Sequence, residues 1–272
     1  MNRGGIKLLP ILLFGGYMLY YYFSNQQTVP LTGRKQLVDI SKEQEAALGY
    51  QSYAQILKQE QVIRGTKEAA LIQQIGQRLA AATREDGTGF QWEFNLINSD
   101  QVNAFCLPGG KVAVYTGILP VAKNQNGLAA IMGHEIAHAI ARHGAERMAQ
   151  QKLVQLGTMA AGVAVSDMDP QMQRGVMGAL GVGAQFGVLL PFSRNHESEA
   201  DFMGLVYAAR ACYDPNEAPQ VWVRMGEISG GGGGRQPAQF MSTHPSHETR
   251  IKQLEEWMPK ALAERPSTCS AN

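Results

Sequence analysis

The residues of this chain whose types and spacing could do chemistry are concentrated in one short string, H-E-x-x-H at residues 134–138. In a helix, His134 and His138 lie on one face about one turn apart, where two imidazoles can bind one metal ion. Glu135 can reach a water molecule on that ion without being a ligand. The flanking residues are apolar and would bury the helix, and burying these three side chains without partners is costly. The string therefore predicts a metal site with a proton-carrying acid beside it.

A catalytic zinc site needs a third protein ligand and an open position for water. The extended pattern H-E-x-x-H-x-x-G-x-x-H is excluded, because the chain has Ile140 and Gly144 where it needs glycine and histidine. A distant acid on a second helix is the other option. Glu197 fits it, since Asp201 lies one turn later and could accept the spare N–H of a ligand histidine. Glu199 is the main rival, but it lies about 200° around the helix from Glu197.

The elements that must position these residues can be read from periodicity. A long helix over 126–152 carries the first string, and a helix over 195–211 carries the acids. Alternating residues at 90–96 predict a strand, and 104–107 with 111–115 flank Pro-Gly-Gly, a strong hairpin signal. Further helices are expected at 41–59, 67–84 and near the C-terminus, after a run of five glycines at 230–234. The predicted fold class is α+β and mostly helical, with a small antiparallel sheet beside the metal-site helix.

The segment 154–192 is apolar and rich in small residues. A second membrane crossing there would place the two halves of the metal site on opposite sides of a bilayer. A buried or lid-like helical hairpin is therefore the favoured interpretation, with a membrane-facing surface as the alternative.

The N-terminus carries an apolar run from Leu8 to Phe23, preceded by Arg3 and Lys7. This arrangement predicts an uncleaved signal anchor, a single transmembrane helix with the rest of the chain exported. A cleaved signal peptide, a lipoprotein and a buried helix are the alternatives. Residues 24–41 read as a linker. We accordingly expect two parts, a signal anchor with linker over 1–30 and one catalytic domain over 31–272.

Composition narrows the class of protein. The chain has 272 residues, of which 44% are hydrophobic and 17% charged, which excludes a disordered chain. Its formal net charge is +1, so no nucleic-acid partner that binds through bulk charge is expected. Of the three cysteines, Cys106 is expected to be a small buried apolar residue, and whether Cys212 and Cys269 pair is left open.

At this point the chain resembles the M48 family of zinc metallopeptidases, in its bacterial, Oma1-like branch. The resemblance rests on four separated motifs in matching order, at residues 103–110, 134–138, 193–201 and 242–251. It implies a zincin-type metallopeptidase fold and one Zn²⁺ per chain, held by His134, His138 and Glu197. It also implies that Glu135 is the catalytic acid and base. The hairpin edge at Asn103, Ala104 and Phe105 would bind substrate.

Two further residues are candidates for stabilising the oxyanion of a peptide-cleaving reaction, His244 and Arg194. Arg194 could instead pair with an acid as a structural residue. His244 has a second possible role, since it could act as a fourth zinc ligand that keeps the enzyme latent. His143 is expected to be a structural hydrogen-bonding residue, and His196 and His247 to lie on the surface.

The resulting hypothesis is a membrane-anchored zinc endopeptidase of the bacterial inner membrane, single-pass, with its catalytic domain in the periplasm. Its partners would be polypeptide substrates, namely unfolded or misassembled envelope proteins, and the membrane through the N-terminal helix. Oligomeric state is left open. The alternatives are a non-enzymatic chaperone-like scaffold that keeps the metallopeptidase fold, and a mitochondrial inner-membrane peptidase.

Overall fold

A computed structural model describes residues 6–86, 89–185, 189–230, 244 and 248–269. The glycines after Gly230, and His247, lie outside the described residues. The helices are α1 Leu8–Ser24, α2 Lys42–Gln59, α3 Lys67–Ala82, α4 Leu119–Ala122, α5 Gln125–Ile140, α6 His143–Ala164, α7 Pro170–Ala184, α8 Leu190–Arg210, α9 Glu217–Gly230 and α10 Glu248–Ala263. The strands are β1 Gln26–Thr28, β2 Lys35–Leu37, β3 Val62–Ile63, β4 Glu93–Ile97, β5 Ala104–Leu107 and β6 Lys111–Tyr115.

The chain forms two compact units, and neither is continuous in sequence. Unit 1 comprises Met1–Val29, Gly33–Ile40 and Arg142–His196, and unit 2 comprises Pro30–Thr32, Ser41–Ala141 and Glu197–Asn272. The expected parts, 1–30 and 31–272, stay a prediction. Within unit 1 the N-terminal segment and the region after the metal-site helix pack together.

Unit 2 contains a mixed sheet of four strands in the order β3-β4-β6-β5. The predicted hairpin is confirmed, because β5 and β6 pair antiparallel from Ala104↔Val114 to Leu107↔Lys111. The prediction of a wholly antiparallel sheet is wrong, since β4 and β6 run parallel. The chain leaves β4, passes to the outer position as β5 and returns between the two as β6. Strand β5 is therefore an edge strand.

Helix α5 occupies the centre of unit 2, where it contacts α3, α9 and β5. Thirteen of its sixteen residues are buried, and nearly all of the buried residues are apolar or glycine. The exceptions are His134 and Glu135. The side chain of Asn124 accepts hydrogen bonds from the backbone N–H groups of Asn126 and Gly127, which fixes the start of the helix. Buried surroundings thus hold the H-E-x-x-H turn rigidly.

The single helix predicted over 126–152 is wrong, because α5 ends at Ile140 and α6 begins at His143. Arg142 interrupts the helix with left-handed backbone angles, φ 58° and ψ 34°. Such a conformation costs a non-glycine residue about 1–2 kcal/mol. Its guanidinium offsets this cost by donating to Gln27 Oε1 at 2.5 Å and to the carbonyl of Ile40 at 2.8 Å.

Unit 1 is built around α6, which packs against α1, α7 and β2. The segment predicted as a helical hairpin forms α7 and the second half of α6, so the hairpin is confirmed. None of the described α7 residues is buried, however, and α7 lies on the outside. The expected linker over 24–41 contains the paired strands β1 and β2, because buried Val29 and Leu37 anchor them.

A buried ion-pair network also lies in unit 1. Glu146 accepts two hydrogen bonds from Arg34, at 3.0 and 2.7 Å, and lies 2.8 Å from Nε2 of His196. The ring of His196 stacks on that of His143 with centroids 4.3 Å apart. The prediction that His196 lies on the surface is therefore wrong, since its exposed fraction is 1%.

Helix α1 forms where the apolar run predicted a helix, and it has 17 residues. Its residue Tyr21 is buried in a small core with Leu37 and Ala149. Among the described residues, no helix combines the length and apolar character that a membrane crossing requires.

The C-terminal end of unit 2 is cross-linked by a disulfide between Cys212 and Cys269, whose Cα atoms are 5.3 Å apart. Cys106, by contrast, is a free cysteine. The disulfide resolves the question that the sequence left open, and it joins the end of α8 to the segment that follows α10.

Loss of this disulfide is expected to lower the free energy of unfolding by about 4 kcal/mol, because a cross-link across 57 residues restricts the unfolded chain. Urea unfolding of the wild type with and without a reductant, and of the Cys212→Ser/Cys269→Ser variant, measures the effect. The Cys106→Ala variant is the control and should keep the response to reductant. Identical unfolding midpoints for oxidised and reduced wild type would contradict the expectation.

Candidate metal centre

The site forms where α5 and α8 approach each other closely at two glycines. A Cβ atom on Gly204 would lie 2.9 Å from the backbone N of His134, and one on Gly133 would lie 3.0 Å from the carbonyl O of Gly204. The distance at Gly204 is shorter than real Cβ atoms show, so this position requires glycine, and the distance at Gly133 is tighter than most real Cβ contacts. The close contact lets side chains of both helices reach a common point.

Four side chains meet at that point: His134, His138, Glu197 and His244. One possible ligand atom from each lies within 4.8 Å of all the others. Nε2 of His134 is 3.1 Å from Nε2 of His138 and 3.2 Å from Nδ1 of His244. The carboxylate of Glu197 lies 3.4 Å from both His134 and His138, and 2.9 Å from His244. The sequence-predicted ligand set is thus brought together, with His244 as an additional member.

The donor set is suited to zinc. Imidazole nitrogen and carboxylate oxygen are ligands that Zn²⁺ accepts in tetrahedral sites. The crowding of three ring nitrogens and one carboxylate is also unfavourable without a shared proton or cation between them. The residues present therefore fit a bound metal ion.

Glu135 lies beside this cluster and is not part of it. Its side chain is 4% exposed, and Oε1 has no hydrogen-bond partner within the part of the chain that the structure describes. The nearest described basic group is Nε2 of His244, at 3.5 Å. Burial raises the pKa of the Glu135 carboxyl. A buried carboxylate that has a raised pKa and an oxygen without a hydrogen-bond partner is suited to taking up and releasing a proton.

Asp201 holds the far side of His134. Its Oδ1 is 3.0 Å from Nδ1 of His134, so it can accept the Nδ1–H and leave Nε2 directed into the cluster. Glu199, the rival acid, lies elsewhere and accepts a hydrogen bond from the hydroxyl of Thr32 at 2.5 Å. The structure therefore places Glu197 in the cluster and leaves Glu199 outside it.

Arg250, a residue of the fourth motif for which the sequence indicated no role, holds both acids of α8. It donates to the two oxygens of Asp201 at 2.7 and 2.6 Å and to Oε2 of Glu197 at 3.1 Å. Its guanidinium lies 3.8 Å from the ring centroid of Trp222. Nothing in the sequence indicated this contact. Arg250 lies 53 residues from Glu197, and α10 meets α8 only through tertiary packing.

These contacts determine the charge state of the site. Burial lowers the pKa of His134, but hydrogen bonds to Asp201 and Glu197 outweigh it and raise the pKa to about 9. Burial raises the pKa of Glu197 and Asp201, yet nearby His138 and Arg250, respectively, keep both pKa values below their usual range. The two carboxylates are therefore ionised at neutral pH.

The remaining predicted residues lie as follows. Arg194 is exposed on α8, and Arg250 rather than Arg194 contacts the acids of that helix. Ala104 and Phe105 begin the edge strand β5, which contacts α5, and Asn103 directly precedes the strand. The Phe105 ring packs against Tyr53 and Tyr115, so its side chain belongs to the core of unit 2.

The chain matches known proteins along most of its length. The model described as "Peptidase family M48" matches residues 66–258. "Mitochondrial metalloendopeptidase OMA1" of Schizosaccharomyces pombe is 35% identical over 260 residues, which cover 94% of this chain and 73% of that protein. "Metalloendopeptidase OMA1, mitochondrial" of Homo sapiens is 29% identical, with 92% of this chain and 49% of that protein covered. "Beta-barrel assembly-enhancing protease" of Yersinia pestis is 29% identical, with 83% and 46% covered.

Replacing Arg250 by methionine is expected to lower the free energy of unfolding of the metal-free protein by about 3–5 kcal/mol, because two buried carboxylates lose their compensating charge. The stability of Arg250→Lys should lie between those of Arg250→Met and the wild type, because lysine keeps the positive charge but lacks the paired N–H donors of arginine. Chemical unfolding in a chelator measures both.

Arg194→Met is the control, because it removes an exposed arginine of α8, the helix that carries both acids. It should unfold like the wild type. An Arg250→Met variant as stable as the wild type would contradict the assigned role.

Proposed function

The chain belongs to peptidase family M48 and is a metalloendopeptidase, as its motifs predicted, and from that premise we propose that it uses zinc to cleave unfolded or misassembled polypeptides. The observation that carries the proposal is the buried carboxylate of Glu135, whose Oε1 has no hydrogen-bond partner among the described residues, directly beside a cluster of metal-ligand groups. A scaffold without activity would have no need for a proton-transferring acid at this point.

His134, His138 and Glu197 are the proposed ligands of one Zn²⁺ per chain. When bound, zinc supplies a Lewis acid that polarises a carbonyl and lowers the pKa of a water molecule. Asp201 keeps His134 in the tautomer that presents Nε2 to the ion, by accepting the hydrogen of Nδ1. Arg250 keeps Glu197 and Asp201 in place through its three hydrogen bonds.

Glu135 then acts as the general base and the general acid. Its carboxylate takes a proton from the attacking water and later donates that proton to the nitrogen of the leaving amine. The raised pKa of Glu135 means that burial stabilises its protonated form, which is the form that donates the proton to the leaving amine.

The edge strand β5 is the proposed substrate-binding element. Within the described residues the outer edge of β5 pairs with no other strand, so the outward-facing backbone groups of Ala104 can hydrogen-bond to an extended peptide. The backbone groups of Asn103 and Phe105 face β6, where the carbonyl of Asn103 accepts from the N–H of Tyr115, so these two residues would flank the peptide. The free thiol of Cys106 has a raised pKa through burial and the nearby charge of Glu135, which is consistent with this edge lying close to the base. An extended segment is available in unfolded proteins and not in most native folds.

The compartment is proposed from the disulfide. A Cys212–Cys269 bond persists in oxidising surroundings, such as the bacterial periplasm. The name of the Yersinia pestis relative, "Beta-barrel assembly-enhancing protease", is consistent with a protease that acts on proteins of the bacterial envelope. We therefore propose envelope proteins that fail to assemble as the substrates, and quality control as the role.

His244 is proposed to hold the enzyme latent. Its Nδ1 lies among the ligand atoms, 2.9 Å from Glu197 and 3.2 Å from His134, where it could occupy the position that water needs. The alternative role, as a donor to the oxyanion, requires His244 to leave this position. Arg194 keeps its role as a second candidate donor only if α8 presents it to a bound substrate.

Cleavage of unfolded casein tests the proposed activity. Glu135→Gln should reduce the rate by a factor of about 10²–10⁴, because it removes the proton-transferring group and leaves the shape of the side chain unchanged. The zinc content of both proteins, measured by metal analysis, shows that the loss does not come from a lost ion. Equal cleavage by the two proteins would favour the scaffold alternative.

The role of His244 is tested by His244→Ala. If His244 blocks the water position, the variant should cleave casein several-fold faster than the wild type. The double variant with Glu135→Gln controls for a contaminating protease and should remain inactive. A rate at or below that of the wild type would contradict latency and favour the donor role.

A further inference from the structure

Unit 1 contains a cavity that no part of the proposed peptidase mechanism uses. Its volume is about 660 Å³, within the range of sites that bind small molecules. It is lined by residues of α1, α6, α7 and β2, and none of them belongs to the metal cluster.

The cavity is elongated and has two different ends. Its lining follows α6 from Glu146 to Ala161, which corresponds to about 22 Å along the helix. From Leu153 onward the α6 wall is largely apolar, and Phe14 of α1 and Leu180 of α7 add to it. The lining residues Lys35, Gln36, Glu146 and Gln150 form the opposite, polar end. An apolar channel with one polar end is the shape of an amphiphile with a single chain.

The polar end contains two buried amides with unused hydrogen-bonding groups. Gln36 and Gln150 are 4% and 7% exposed, and both line the cavity. Neither Oε1 of Gln36 nor Nε2 of Gln150 has a hydrogen-bond partner in the described parts of the chain. An unsatisfied buried polar atom is costly, so a ligand that supplies one donor and one acceptor would gain from both.

The charge at this end favours a neutral ligand head. Glu146 is already paired with Arg34 and His196, and although burial raises its pKa, these partners lower it to about 2. The carboxylate is therefore ionised and has its cations in place. A second carboxylate close to Glu146 would meet a like charge. The other cation of the lining, Lys35, is exposed to water and donates a hydrogen bond to the hydroxyl of Thr28, so it offsets that repulsion only weakly.

We propose that this cavity binds a neutral single-chain amphiphile of the monoacylglycerol class, with its acyl chain along α6 and its hydroxyl-bearing head at Gln36 and Gln150. The head group offers both a donor and an acceptor and carries no charge. The proposal is independent of the peptidase activity, since it concerns other residues in the other unit.

Calorimetric titration of the purified full chain with monopalmitoylglycerol, below the concentration at which it aggregates, tests the proposal. We expect saturable binding of one molecule per chain. Palmitate has the same chain and an anionic head, and it should bind at least tenfold more weakly at neutral pH. Equal binding of the two, or no saturable binding, would overturn the proposal.

Variants distinguish the cavity from other surfaces. Leu180→Asp introduces a charge into the apolar wall at a residue that is 44% exposed, so the fold should tolerate it and binding should fall at least tenfold. Met172→Asp is the matched control, on the same helix, 59% exposed and outside the lining, and should bind like the wild type. Equal effects of the two variants would overturn the proposal.

The amide contribution is tested by Gln150→Leu. This variant should unfold no more easily than the wild type, because it removes an unsatisfied buried group, yet it should bind monopalmitoylglycerol about fivefold to tenfold more weakly. If Gln150→Leu lost stability and bound monopalmitoylglycerol as the wild type does, Gln150 would be a purely structural residue. That outcome would overturn the assignment of the polar end as the site of the head group. Displacement of the amphiphile by an apolar peptide that binds more tightly would make the cavity a peptide site, which also overturns the proposal.

Discussion

The compensation of buried charge at the contact between α5 and α8 is the interaction on which the rest of the site depends. Glu135, Glu197 and Asp201 are each less than a tenth exposed, in a region whose other walls are apolar. Ionised groups survive there only with opposite charges or hydrogen-bond donors within direct reach. Arg250 supplies these donors for the two acids of α8, whereas Glu135 has an oxygen, Oε1, without a hydrogen-bond partner among the described residues. The chemistry is thus concentrated on that group.

The same contact explains which parts of the site could be predicted. A helix fixes the angle between residues three or four positions apart, so the H-E-x-x-H spacing by itself indicated that His134 and His138 share one face. Periodicity likewise separated Glu197 from Glu199. Arg250 and Trp222 approach the acids from α10 and α9, which are distant in sequence, and no local pattern records such contacts. Their positions follow from tertiary packing alone.

Most of the fold follows the sequence, and the differences have local causes. The helix capped by Ser41, the helix over Lys67–Ala82 and the β5–β6 hairpin form as predicted. The break at Arg142 was not predicted, because arginine is an ordinary helix residue and its left-handed conformation depends on acceptors elsewhere in unit 1. The apolar run at the N-terminus indicated a helix correctly. Composition alone did not indicate that this helix packs against α6.

The disulfide between Cys212 and Cys269 has a consequence for how the site could open. The covalent loop that it closes includes Trp222, His244 and Arg250, so all three belong to one tethered segment. The peptide chain tethers this segment at Cys212 and the disulfide adds a second tether at Cys269, so a segment that left the metal-site helix would stay nearby, at an effective concentration on the order of millimolar. Opening would then be rapidly reversible. In a reducing compartment the C-terminal anchor is lost, and the balance between the closed and open states would depend on the redox potential around the protein.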